Sequence, residues 1–184
     1  MTAEEFLALP DNGTERELVR GHMEERETTL RGRRHTRVGT KIARLLDTWL
    51  LQQPEPRGEV LTGEAAFRLA SGPDSLVGID VAYMSAATAT ANPDDAFVID
   101  GSPVLAVEIL LPSDTQASIT GKVMMYLDAG VHIVWVVEPV FRTVTVFRPD
   151  AEPEMFNVKQ QLNGGPHLPD FGADVAELFA LSRA

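Results

Sequence analysis

Two carboxylates interrupt apolar segments in the middle of the sequence. Asp80 lies within LVGIDVAYMS, and Glu108 lies within PVLAVEIL. Because both segments are predicted to be buried strands, each carboxylate needs a partner that offsets its removal from water. A single buried carboxylate could be a hydrogen-bond acceptor or half of an ion pair. Two that converge at strand ends favour a hard cation, so the pair predicts a site for Mg²⁺, with Mn²⁺ as a possible substitute.

A lysine follows the second carboxylate along the chain. We expect Lys122 to begin a helix after the Glu108 strand, with the intervening loop returning its ammonium to the strand end. There a lysine can orient or help deprotonate a water that attacks phosphorus, and can offset charge on the phosphoryl oxygens. A lone helix lysine is more often an exposed surface residue, so the combination with Asp80 and Glu108 is what favours catalysis.

The elements predicted around these residues indicate an α/β fold. Residues 103–110 and 131–139 are predicted strands, and 118–130 is a predicted helix that ends at Gly130. This order places two parallel strands in one sheet through a right-handed crossover. We therefore predict a mixed central sheet with helices on both faces.

Other segments extend this unit without a repeat or a low-complexity linker, so residues 1–184 are predicted to form a single domain. Each prediction rests on hydrophobic period and turn residues. The predicted elements are a hairpin at 15–30 turning at Gly21 and His22, a helix at 36–53, an extended segment at 59–70, a loop or weak helix at 86–96, a strand at 142–149 and a docking helix at 170–180.

The charge distribution allows two interpretations. The chain carries 27 acidic and 16 basic residues and a net charge of −11, which argues against tight nonspecific binding to a polyanion. Seven basic residues or histidines nevertheless fall between positions 31 and 44. This segment is either a solvated helix face or a nucleic-acid contact surface, for which the candidate residues are Arg33, Arg34, Arg37 and Lys41.

Several classes of site and location are excluded by inspection. The absence of cysteine rules out disulfides, thiolate metal sites and thiol nucleophiles. No P-loop, nucleophile elbow, dinucleotide-binding glycine motif or H-E-x-x-H motif is present. The N-terminus lacks the pattern of a signal peptide, and no apolar stretch approaches the ~20 residues of a spanning helix, so we expect a cytoplasmic protein without membrane contact.

Three segments resemble the Uma-two family of restriction endonucleases: TERELVRG, GIDVAYM and PVLAVEILLPSDTQASITGKVMMYLDAGVHIVWVVEP. The resemblance covers most of the chain. It implies a restriction-endonuclease-like fold of the PD-(D/E)xK nuclease superfamily and metal-dependent endonucleolytic cleavage of phosphodiester bonds, with DNA as the expected substrate.

The same resemblance implies roles for individual residues. Asp80 and Glu108 would ligate Mg²⁺, and Lys122 would be the active-site lysine, displaced from the strand to the neighbouring helix. Glu17 occupies the position of a glutamate in the family's start motif, where it would reach the metal or its waters. His35 matches a family histidine at the head of the first long helix, where it would orient water or phosphate.

Departures from the family pattern leave a second function open. Ile79 replaces a proline, Leu111 a serine, His22 a glutamate, and Ile119 stands where an acidic residue often precedes the helix lysine. The Asp, Glu and Lys core is intact, but support for the metal could be weaker. The alternative is a weakly active or inactive nuclease scaffold that acts as an interaction module.

For an active enzyme we expect a homodimer, because two sites are the simplest means of cutting both strands of a duplex. The dimer interface could include the strands at 131–149, which could equally be core.

Overall fold

The computed structural model describes residues 1–26, 31–69 and 72–181. Within them the chain forms five α-helices and a short 3₁₀ helix at Gly165–His167. The α-helices are α1 (Ala3–Leu7), α2 (Arg33–Leu50), α3 (Ala86–Ala91), α4 (Gln116–Asp128) and α5 (Val175–Leu178).

Eleven strands occur in the same described residues. They are β1 (Glu15–Val19), β2 (His22–Arg26), β3 (Glu59–Leu69), β4 (Ser75–Met84), β5 (Ile99–Asp100), β6 (Leu105–Ile109), β7 (Ile133–Glu138), β8 (Thr143–Phe147), β9 (Glu154–Asn157), β10 (Gln161–Asn163) and β11 (Gly172–Asp174).

Most of these elements match the sequence predictions. Helix α2 begins three residues earlier than predicted, which places His35 in its first turn. The predicted hairpin is confirmed for β1 and β2, but its turn lies at Arg20 and Gly21, since His22 already belongs to β2 and pairs with Val19. The end of the predicted hairpin at 27–30 lies outside the described residues. The weak-helix alternative is correct for α3, whose start is capped because the Ser85 side chain accepts a hydrogen bond from the Thr88 amide. The predicted docking helix is shorter than expected, because its first part forms β11.

Nine strands of the described chain form one mixed sheet, in the order β2-β1-β4-β6-β7-β8-β9, with β3 on β4 and β5 on β3. Strands β6 and β7 run parallel, as the predicted crossover through α4 requires. The pairs β7–β8 and β8–β9 are antiparallel. Strands β7 and β8 therefore lie inside the sheet, and their apolar residues are core, which was one of the two alternatives left open.

Helices cover both faces of the sheet. Ala106 and Val107 are neighbours on β6 and point to opposite faces, as alternation along a strand dictates. Val107 shares a core cluster with Ile42 of α2, whereas Ala106 shares the other large cluster with Val123 of α4. The predicted mixed sheet flanked by helices is confirmed.

The sheet forks along one side of β4. Strand β3 pairs with β4 from Glu59–Met84 to Leu69–Ser75 and so occupies one whole side of it. The opposite side is shared: β1 pairs with β4 at Leu76, and β6 pairs with it from Val81 onward. Asp80 lies between these two pairings, at the point where β1 and β6 diverge.

None of the helices within 1–26, 31–69 and 72–181 is both long and apolar enough to cross a bilayer.

Candidate active site

Asp80 is held at the fork by two neighbours from different elements. Its Oδ2 lies 3.2 Å from Nε2 of His35 on α2 and accepts a hydrogen bond of 2.7 Å from the backbone amide of Ile109, at the end of β6. Both contacts favour the ionised carboxylate, so they lower the pKa of Asp80 although its burial alone would raise it. The side chain is therefore charged and fixed in orientation.

Lys122 joins the two strands that diverge from β4. Its Nζ donates to Oε1 of Glu17 on β1 at 2.9 Å and to Oε2 of Glu108 on β6 at 3.4 Å. Lys122 is buried, and it lies in the second turn of α4, not at the start of a helix as predicted. Tyr126, one turn later on the same helix face, donates a 2.5 Å hydrogen bond to Oε1 of Glu108. The structure thus brings together the predicted catalytic and metal-binding residues, which are Glu17, His35, Asp80, Glu108 and Lys122.

A fourth carboxylate, Glu64, was missed by the sequence analysis. It lies in an irregularity of β3, where pairing with β4 shifts register between Thr62 and Ala65. Gly63 and Glu64 both have positive φ, of 89° and 63°, which is typical of a β-bulge that redirects a side chain. Gly78 on β4 leaves the space that the Glu64 side chain occupies. A Cβ at position 78 would lie only 2.8 Å from Oε2 of Glu64, which is too close for an ordinary contact. A glycine within a predicted strand is the signal that could have indicated this bulge.

The bulge turns Glu64 toward Asp80 and Arg31. The Arg31 guanidinium donates to Oε1 of Glu64 at 3.0 Å and to Oε1 of Glu15 at 2.7 Å. Arg31 belongs to the basic segment predicted from the sequence, but here it stabilises the acidic cluster. Its side chain is thereby committed to two carboxylates on β1 and β3.

The carboxylates are crowded enough to hold protons near neutral pH. Burial, followed by the charge of Asp80 and a hydrogen bond with it, raises the pKa of Glu64 to about 7. Burial together with the charges of Asp80 and Glu17 raises the pKa of Glu108 to about 6, although Lys122 acts in the opposite direction. The cluster therefore carries more potential negative charge than its own cations offset.

The excess negative charge of this carboxylate cluster favours binding of a divalent cation. Within the described residues, no group of three or more histidine, aspartate or glutamate side chains is arranged to hold a metal ion. Mg²⁺, however, usually takes only one or two carboxylates and fills its remaining positions with water and substrate phosphate oxygens. Asp80 and Glu108 offer oxygen donors only, in a cluster that a cation would relieve, so these residues fit such an ion.

The candidate nucleic-acid residues are distributed unevenly around the site. Arg34 lines a cavity of about 260 Å³ that also contains His35, and Arg34 and Arg37 line a second cavity of about 420 Å³. Arg33 and Lys41 line neither of these two cavities. Arg33 and Arg34 are exposed, as contact with a large anion requires.

The two tyrosines of the chain provide a matched test of the Glu108 environment. Replacing Tyr126 by phenylalanine removes a hydrogen bond to a partly buried carboxylate, and we expect the free energy of unfolding to fall by about 1.5–3 kcal/mol. Tyr83→Phe is the control, because the Tyr83 hydroxyl makes no hydrogen bond within the described residues, and it should change stability by less than about 0.5 kcal/mol. Urea denaturation measures both; equal effects would contradict this account of Tyr126.

The raised pKa values of Glu64 and Glu108 predict an unusual pH dependence of stability. Above the ordinary value of 4.5 the unfolded chain releases protons that the folded protein still holds. The protonated forms of Glu64 and Glu108 therefore contribute their full stabilisation below about pH 4.5. This contribution is lost as the pH rises through the pKa values of the two residues in the folded protein. In EDTA we expect the free energy of unfolding to fall between about pH 5 and 7.5. Glu64→Gln should make this decline shallower, whereas Glu152→Gln, an exposed control, should leave it unchanged.

Comparison with known proteins agrees with the architecture. The family model Uma2, described as "Putative restriction endonuclease", matches residues 3–176. A crystal structure from Anabaena variabilis, described as "a putative nuclease belonging to DUF820", has a TM-score of 0.81 to this chain, with 20% sequence identity over 97% of each chain. Similarity at that identity establishes a common fold. No curated protein matches the chain.

Proposed function

The chain belongs to the Uma2 family, and from this premise we propose that it is a Mg²⁺-dependent endonuclease that hydrolyses phosphodiester bonds of DNA. The observation that carries the proposal is the convergence of Glu17, Asp80, Glu108 and Lys122 at the fork of the sheet. Buried ionisable groups in such density cost stability, which favours a catalytic role over a structural one.

In this proposal Asp80 and Glu108 hold the metal, with Mn²⁺ as a substitute for Mg²⁺. A bound divalent cation supplies Lewis-acid activation of the phosphoryl group and of water. The protein's part is to keep the two carboxylates ionised and oriented. His35 and the Ile109 amide do this for Asp80, and Tyr126 and Lys122 do it for Glu108.

Lys122 would act on the attacking water and on the charge that develops at phosphorus. A small cavity bounded by Lys122 and Glu108 has a volume of about 10 Å³, enough for about one water molecule. Glu17 fixes the Lys122 ammonium beside this space through its 2.9 Å ion pair. Glu17 is thus a positioning residue, which acts through Lys122.

Substrate would approach along α2. The candidate contacts are Arg33, Arg34, Arg37 and Lys41, with His35 between them and Asp80. Because the chain as a whole carries −11, attraction of a polyanion must be local to this surface. We also propose a homodimer, since two sites related by a twofold axis would cut both strands of a duplex.

One observation favours the alternative of an inactive scaffold used as an interaction module. Lys122 is 7% exposed and engaged by two carboxylates, so the site has the form of a closed ion-pair network. In that case the network would be structural, and the departures at Ile79, Leu111 and His22 would reflect loss of cleavage.

A substrate panel separates these functions. Wild-type protein is incubated with supercoiled plasmid, single-stranded DNA and RNA of matched sequence, each with Mg²⁺, Mn²⁺ or EDTA. We expect cleavage of DNA with either metal and none in EDTA. Cleavage of RNA alone would contradict the substrate class, and no cleavage of any substrate would favour the interaction module.

A further inference from the structure

Three arginines from two distant parts of the chain face one cavity. The cavity has a volume of about 420 Å³, and its lining includes Arg34 and Arg37 of α2 and Arg142 of the turn between β7 and β8. Arg34 and Arg37 are three residues apart and therefore neighbours on the helix surface. Such a concentration of guanidinium groups is unexpected in a chain of net charge −11.

These arginines have no carboxylate partner within the described residues, a feature that they share with Arg33. Most of the other described arginines pair with carboxylates, as Arg57 does with Glu55 at 2.9 Å. Arg34, Arg37 and Arg142 make no ion pair with a carboxylate of the described residues. The Nε of Arg37 is also buried without a hydrogen-bond partner there. A partly desolvated, unpaired guanidinium is costly unless an anion completes the site.

The conformation of the turn between β7 and β8 determines the position of the Arg142 side chain. Arg142 has a positive φ of 57°, which turns the chain sharply after β7, and its guanidinium lies 6.0 Å from the ring centroid of Phe179. The preceding residue, Phe141, is 79% exposed. Phe141 does not line the cavity itself, but it is next to Arg142 in the chain. An exposed aromatic ring on the same turn as an arginine suits single-stranded nucleic acids, which bind through base stacking and phosphate contacts.

The arginine cavity continues toward the candidate active site. Arg34, Pro139 and Val140 line both this cavity and the neighbouring one of about 260 Å³, which contains His35. That second cavity also contains a carboxylate, Glu138, whose Oε1 accepts a 2.7 Å hydrogen bond from the Val140 amide. The two cavities together form a path from the arginines to the residue that contacts Asp80.

We propose that Arg34, Arg37 and Arg142 bind a non-scissile backbone phosphate of the DNA strand, with Phe141 packing on an adjacent base. This inference rests on the proposed function, because it assigns the strand's path from the site of cleavage. Planar guanidinium groups suit the task, since they bind phosphate oxygens in pairs. Arg142, on an element remote from α2 in sequence, is the residue that this site adds.

The test is binding, measured separately from cleavage. Fluorescence anisotropy follows a labelled single-stranded oligonucleotide, with Ca²⁺ in place of Mg²⁺, over a range of salt concentrations. Arg37→Gln and Arg142→Gln should each raise the Kd about 10-fold and reduce the slope of log K against log salt by about 0.7. Arg142→Lys should retain part of the affinity, and Phe141→Ala should weaken binding with an unchanged salt slope.

Lys159→Gln is the matched control, because Lys159 is exposed and makes no ion pair within the described residues. If wild type binds and both arginine variants bind like Lys159→Gln, the phosphate site is wrong while the proposed function stands. If wild type shows no salt-dependent binding, both fail. Thermal melting of every variant identifies any loss of affinity that comes from unfolding.

Discussion

Replacing Asp80 by asparagine is expected to reduce DNA cleavage by at least about 10³-fold while leaving the protein folded. In the proposed mechanism the loss follows from removal of a charge that would hold the metal, since Lewis-acid activation contributes several kcal/mol and each 1.36 kcal/mol is a factor of ten in rate. The fold should survive because an asparagine oxygen can still accept from the Ile109 amide and face His35.

The same substitution should lower the free energy of unfolding of the metal-free protein, because the pKa of Asp80 is lowered in the folded state and its charge is therefore favourable there. The loss should be limited, because Asp80 also raises the pKa of Glu64 and of Glu108 through its charge, so its neutralisation relieves repulsion in the cluster. Asp95→Asn, an exposed control with the same change in charge, should cleave like wild type. Comparable activity in Asp80→Asn and Asp95→Asn would remove Asp80 from the mechanism.

Replacing Lys122 by methionine should have two separable effects. Cleavage should fall by about 10²-fold or more, because in the proposed mechanism the ammonium would act on water and on charge at phosphorus. The free energy of unfolding should fall by about 3–5 kcal/mol, because the buried Glu17 and the partly buried Glu108 are left without their common cation. Plasmid cleavage and urea denaturation measure the two effects.

A second substitution distinguishes catalysis from stability. Glu17→Gln in the Lys122→Met background removes one of the uncompensated charges and should recover part of the lost stability without recovering cleavage. If cleavage returned together with stability, Lys122 would be a structural residue. Lys159→Met, which removes an exposed lysine, provides the control for both measurements.

The sequence was sufficient to predict features that depend on local pattern. Apolar runs with one charge each indicated β4 and β6 and placed Asp80 and Glu108 on strands. The structure shows that these two strands are adjacent, with Val81 paired to Val107. The helical period between β6 and β7 indicated the crossover helix that carries Lys122. Family resemblance supplied Glu17 and His35, for which no local pattern exists.

Features that depend on tertiary arrangement were not predictable. Glu64 reaches Asp80 only because a bulge at Gly63 redirects β3, and the space it enters exists because position 78 has no side chain. Arg31 looked like part of a basic surface, yet its guanidinium faces Glu15 and Glu64. Arg142 lies about one hundred residues from α2 and joins its arginines only through packing of the turn after β7.

The most direct test of the central claim is cleavage of supercoiled plasmid by wild type and Asp80→Asn, purified in parallel and assayed with Mg²⁺. We expect nicked and linear products from wild type alone, and their disappearance when EDTA is added. Equal product from both proteins would assign the activity to another site or to a contaminant. No product from wild type with either Mg²⁺ or Mn²⁺ would contradict the nuclease function itself.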